Sequence, residues 1–184
     1  MEAGTDVYTR LGRENRSARI PANILHMPKN KHLAGHGTKH MKMPKNRCFG
    51  CGKDNPKGMR LKFYLDEERR RCVGRFRLPI RYQGPPGHAH GGVIATILDE
   101  AMGKVNKLRH VVALTKTMEI EYMRPVPLKQ PITVEGFEVR VRGRKHTNAA
   151  EIRNVRGELL ARSTGLFIVV DPLKMFAKHL PKGH

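Results

Sequence analysis

The chain has 184 residues, 39% of them hydrophobic, and a formal net charge of +20. That is enough for one domain with a proper core, not comfortably two, and too much apolar content for a wholly disordered chain. No apolar run reaches membrane-spanning length, and an aromatic content of 5% without Trp is poor material for stacking single-stranded bases.

The charge points to anionic partners: nucleic acid, a membrane surface or phosphate-bearing small molecules. The first 47 residues hold ten Lys/Arg against three Asp/Glu, and the rest of the surplus is spread over the remainder. Residues 1–46 read as a separate basic leader without sustained periodicity, apart from a weak apolar patch at 20–25. The tetrapeptide Met-Pro-Lys-Asn occurs there twice, too short to be a structural repeat. His32, His36 and His40 are four apart, but Gly35 and Gly37 argue against a helix that would align them. No signal-peptide core is present. Cys48, Cys51 and Cys72 make no disulfide framework. A soluble, cytoplasmic protein with reduced thiols is the expectation.

From Cys48 onward the pattern sharpens. "CFGCGKDNPKG" (48–58) is rich in turn residues. Two alternating runs, 59–66 and 71–78, flank a charged turn at 67–70 and predict two strands. "PIRYQGPPGHAH" is a loop. One helix is predicted from Gly91 to about Leu108. Four β-type runs follow at 112–123, 131–142, 147–154 and 159–170, with turns at "RGRK" (142–145) and "VRGE" (155–158). Asp171-Pro172 ends the last strand, and residues 173–184 form a basic, peripheral tail. One long helix against an antiparallel sheet is an α+β layer architecture. The short connections predict that the last four strands are sequential neighbours.

On a helical wheel, Ile94, Ile97, Leu98, Ala101 and Val105 share one face, suited to packing on the sheet. Asp99 points nearly opposite, on a stripe with Gly92, Thr96 and Gly103. Periodicity by itself favours a solvent-facing acid. The glycines weigh the other way. Gly91 and Gly92 stand where a helix exposes unpaired N–H groups and positive potential, and without Cβ atoms those groups can reach a ligand oxygen. They would form an oxyanion hole for a polarised carbonyl. Gly91 and Asp99 are about 12 Å apart along a helix axis, too far to serve one carbonyl together. A carbonyl-activating site built from both therefore requires two helices across a two-fold axis, hence a homodimer with shared sites.

"HGGVIATILDEAMG" (90–103) resembles the HGG-x6-D motif of the PaaI-like hotdog-fold thioesterases. The resemblance runs in order from "CFGCGKDNPKGMRL" (48–61) through "TKTMEIEYMRPVPL" (115–128) and "GRK" (143–145) to "GLFIVVDP" (165–172), so a domain at 47–172 is expected. It implies a long central helix wrapped by a curved antiparallel sheet of about five to six strands, assembled as a dimer or a dimer of dimers. It also implies hydrolysis of acyl-coenzyme A to free acid and coenzyme A, with no cofactor and no metal. Carried over residue by residue, the backbone N–H of Gly91 or Gly92 polarises the thioester carbonyl, and Asp99 of the opposite subunit is nucleophile or general base. His90 orients the turn, and Thr115 holds water or substrate near the acid. Ser163 and Thr164 are weaker matches, and Glu100 is the rival acid, about 100° away on the wheel.

The coenzyme's phosphates give the basic surplus a use, with Arg142, Arg144, Lys145 and Arg124 as candidate contacts. Cys48-x-x-Cys51 has the spacing of half a zinc site, with His88 or Cys72 as conceivable additions, but no second pair exists, so zinc and a redox disulfide are both disfavoured, and the resemblance implies a structural turn there. Three rival functions stay open: a hotdog dehydratase or hydratase, a non-catalytic acyl-CoA binder, and a nucleic-acid binder. Nucleic acid is disfavoured by the aromatic content but kept alive by the charge.

Overall fold

A computed structural model describes residues 45–179. The histidine triplet, the apolar patch at 20–25 and nearly all of the predicted leader lie outside the described residues. Six strands and one long helix form the domain. Strands β1 (Phe63–Asp66) and β2 (Arg71–Arg77) make a hairpin around the charged turn. Helix α1 (Gly91–Val105) follows and tightens into a 3-10 turn at Asn106–Arg109. Then come β3 (Val112–Tyr122), β4 (Pro131–Arg142), β5 (Lys145–Asn154) and β6 (Leu159–Val170). Asp171 accepts from the Leu173 amide (2.9 Å), and Pro172 opens the short helix α2 (Pro172–Phe176). A side-chain acceptor followed by proline is a helix-start arrangement.

All pairings are antiparallel, in the order β1-β2-β4-β5-β6-β3. The expectation of four sequential neighbours holds for β4, β5 and β6 and fails for β3, which pairs with β6 at the far edge. The cause is the link 123–130. It contains Pro125 and Pro127, which donate no ladder hydrogen bond, and it is anchored rather than turned back. Val126 is fully buried and accepts from Ala89 N–H (2.9 Å), while Lys129 N–H reaches Leu78 O (2.8 Å). The link thus crosses to another strand instead of closing a hairpin.

The predicted apolar face of α1 is the buried one, with Met102 added to it. Small residues let the sheet close on that face. A Cβ on Gly136 of β4 would lie 2.6 Å from the Ala101 carbonyl oxygen, so helix backbone rests directly on strand backbone there. Ala101, Ala149, Ala150 and Ala161 are fully buried. Register shifts in β3–β6, β4–β5 and β5–β6 supply the bends that curve a sheet around a helix.

Candidate active site

The site begins at the start of α1. His90 is the N-cap, and its Nδ1 accepts the Gly92 N–H at 2.9 Å. His90 is itself fixed by its own N–H, which donates to Tyr82 O at 2.8 Å. The imidazole thus caps the turn and occupies one of the two glycine donors. The Gly91 N–H, by contrast, finds no acceptor among the described residues. Free N–H groups are inherent to the first turn of a helix. A Cβ at Gly91 would meet nothing nearer than the Tyr122 hydroxyl at 3.7 Å, so the protein itself leaves room there. Tyr122, at the end of β3, donates its hydroxyl to Gly91 O at 3.2 Å.

Two turns further on, Asp99 is neither fully exposed nor buried. The Thr115 hydroxyl donates to its Oδ1 at 2.7 Å. Thr115 stands at the register shift of β3, where Lys116 is the extra residue against β6; such a bulge re-aims side chains. Desolvation raises the Asp99 carboxyl above the ordinary range, the Thr115 hydrogen bond pulls it partly back, and the neighbouring Glu100 charge adds to the rise. Asp99 and Thr115, singled out separately in the sequence, form one unit. Gly91 with His90 and Tyr122 forms another.

Glu100 faces elsewhere. It pairs with Lys104 (3.5 Å) and accepts from the Cys48 thiol (3.1 Å), under the loop 48–52. It is thus held by other partners than Asp99. Ser163 is buried and donates to Glu119 O (2.7 Å), a strand-to-strand role. The basic candidates divide between the two ends of α1. Arg124 follows β3 at the Gly91 end and holds Leu159 O (3.3 Å). Arg142, Arg144 and Lys145 stand at the β4–β5 turn, where Gly143 has φ 54° and Arg144 Nε holds Val169 O at 2.9 Å. Lys145 lies across from Ile168, which itself pairs with Leu114 near the start of β3. Tyr122 and the Glu100 contacts escaped the sequence reading, because nothing local marks a hydroxyl meeting a helix 31 residues away or a thiol meeting a carboxylate 52 away.

The family model described as "Thioesterase superfamily" matches residues 86–161, a span that holds the glycine turn, Asp99, Thr115 and the basic hairpin. Residues 86–161 form a thioesterase-superfamily domain. The mouse acyl-coenzyme A thioesterase THEM4 is 31% identical over 137 residues, covering 74% of this chain and 59% of that protein. The chain thus spans less than two thirds of that relative's length. A crystal structure described as thioesterase superfamily protein RHA08564 superposes with a TM-score of 0.63 at 34% identity, covering 67% of this chain and 60% of that one. A hypothetical thioesterase from Streptococcus pneumoniae, solved with coenzyme A, shares the hotdog fold at a TM-score of 0.55 and 20% identity, over 60% of this chain and 88% of its own. The six-stranded antiparallel sheet around one long helix is therefore the hotdog fold of this superfamily.

Proposed function

We propose that the protein is an acyl-coenzyme A thioesterase working as a homodimer with two shared active sites. The observation that carries this is the split of the machinery along α1: an unshared Gly91 N–H at its start, and an ionisable Asp99 held by Thr115 about 12 Å further along the axis. The free edge of β3 supports the dimer. It ends the sheet, and Val112, Leu114 and Tyr122 on it are exposed. A long apolar edge strand is a template for pairing. An antiparallel β3–β3 pair centred near Met118 would set Tyr122 and Gly91 of one subunit beside the partner's Thr115 and Asp99. The same symmetry brings the partner's Arg142, Arg144 and Lys145 toward Arg124, as two sets of cations on one ligand.

In this reading Gly91 N–H binds the thioester carbonyl oxygen and stabilises the charge that develops on it. The partner's Asp99, ionised, takes a proton from water as that water adds to the carbonyl carbon. The oxyanion collapses, the carbon–sulfur bond breaks, and the Asp99 proton passes to the departing coenzyme A thiolate. Direct attack by the carboxylate gives the same products through an enzyme-bound anhydride. Single turnover in oxygen-18 water separates the two routes, since only the anhydride route can place label in Asp99. The basic residues hold the coenzyme's phosphates. Relatives described as acyl-coenzyme A thioesterases, and a same-fold protein solved with coenzyme A, support the substrate class.

The test is a panel of acyl-CoA thioesters with thiol release followed, on wild type and Asp99→Asn. Hydrolysis with kcat lowered about 10²–10⁴-fold in the variant is expected; full activity in Asp99→Asn, or cleavage of no thioester, overturns the reading. Nucleic-acid binding without hydrolysis, falling steeply with salt, would establish the rival function. The free thiols fit a reducing compartment, and we place the protein in the cytoplasm; a fluorescent fusion of the full chain tests this. No helix among the described residues is long and apolar enough to cross a membrane.

A further inference from the structure

Four side chains beside α1 are used by no step above. Cys48 and Cys51 come from the turn 48–52, and Glu100 and Lys104 from successive turns of the helix. The ligating atoms of Cys48, Cys51 and Glu100 all lie within 4.8 Å of one another. We propose that these three residues form a binding site for one divalent cation of the zinc class, clasping the Cys48 turn to the helix.

The spacing suits such an ion. Zinc–sulfur bonds of about 2.3 Å and zinc–oxygen bonds of about 2.0 Å in a tetrahedron put ligand atoms roughly 3.5–3.8 Å apart. Cys48 Sγ is 3.1 Å from Glu100 Oε1, so only small shifts are needed to seat the ion. The turn is shaped to bring its sulfurs to this carboxylate. Gly52 N–H donates to Cys48 O at 3.0 Å and folds the two cysteines to one side. A Cβ at Gly52 would fall 2.4 Å from that same oxygen, and one at Gly50 would fall 2.4 Å from Glu100 Oε1. Gly52 is therefore required for the tight fold of the turn itself, and Gly50 leaves the space that the Glu100 side chain fills.

The charges also balance. Two thiolates, one carboxylate and a divalent ion leave one negative charge, and Lys104 supplies the compensating positive one. Its Nζ sits 2.8 Å from Cys51 Sγ and 3.5 Å from Glu100 Oε2, where it can donate to a bound thiolate from outside the metal's own shell. Bound to the ion, both cysteines are thiolates. Three protein ligands leave the fourth tetrahedral position to water. The absence of a second Cys or His pair argued against zinc in the sequence; here the third ligand comes from the helix, 49 residues beyond Cys51.

The full-length, reduced chain is equilibrated with zinc, desalted and assayed for metal, and a parallel sample is titrated with cobalt(II). Expected are one metal per chain and a thiolate-to-cobalt charge-transfer band in the near ultraviolet. Cys48→Ser and Cys51→Ser abolish the band, Glu100→Gln weakens binding roughly tenfold or more, and Cys72→Ala keeps it. Cys48 is exposed, so Cys48→Ser reads the site without a packing change, and circular dichroism confirms the fold of each variant. Histidines of residues 1–44 give no thiolate band and cannot imitate the signal. Zinc uptake below stoichiometry, or a cobalt spectrum unchanged in Cys48→Ser, overturns the proposal. So does a Cys48–Cys51 disulfide that forms in preference to metal binding under reducing conditions.

Discussion

At the scale of single residues, the proposed roles of Gly91 and Asp99 set activity against stability. Gly91 has space for a methyl group, with its nearest neighbour 3.7 Å away, and alanine is the better helix residue. Gly91→Ala should therefore leave Tm unchanged or slightly raised while kcat/KM falls about 10²-fold or more, read by thermal unfolding beside thioester hydrolysis. A fall in both would make Gly91 structural. Asp99 has its folded-state carboxyl raised, chiefly by desolvation. A raised acid contributes stability that is present at low pH and lost as pH rises through its folded value. At neutral pH the charge on Asp99 therefore costs stability, and Asp99→Asn should raise Tm by ~2 °C while removing activity. On the proposed mechanism, in which the ionised form acts, the same shift should move the acid limb of the wild-type rate profile above the usual carboxylate range, read from a pH–rate series.

The elements show why some of this was readable from the sequence and some was not. β4 and β6 appear with their predicted bounds, because each is a long run closed by a turn or by Asp171-Pro172. The buried face of α1 followed from its period. The place of β3 did not follow, because neighbour rules rest on link length, whereas the link 123–130 is directed by tertiary anchors at Ala89 and Leu78. The Asp99–Thr115 pair was half legible: both residues stood out, but their bond depends on the bulge at Lys116. Gly136 passed unnoticed in its strand, yet it seats the helix. Gly136→Val should destabilise by more than about 3 kcal/mol, since the Ala101 carbonyl cannot move aside as a flexible side chain would. Gly165→Ala, where the close atoms belong to Phe167 and Met102 side chains, should cost about 1 kcal/mol or so. Denaturant midpoints on the two variants compare them directly.

For the molecule as a whole, the far end of the helix controls pH tolerance. His146 is 4% exposed and bonds Asn106 Oδ1 at 2.9 Å, while Asn148 Nδ2 reaches Met102 O at 3.0 Å. Burial lowers the His146 imidazole, Glu138 opposes the shift, and Arg109 adds to it. A base lowered on folding contributes stability that is full above its ordinary value near 6.5 and lost as pH falls. Wild type should lose more Tm than His146→Asn between about pH 7.5 and pH 5; parallel curves would remove His146 from that account. On the outer edge of β3, Leu114→Asp should dissociate the dimer and abolish activity together, followed by sizing chromatography at assay concentration. An active monomer would exclude shared sites.

The crossing of the link 123–130 has a consequence for how the protein is made. β3 leaves the ribosome with no strand to pair with, because its neighbour β6 follows about 40–60 residues later, seconds of elongation at ordinary rates. Through that interval an eleven-residue strand bearing Val112, Leu114 and Ile120 waits with both edges open. The edge proposed to recognise a second copy is thus, during synthesis, also an exposed aggregation-prone strand.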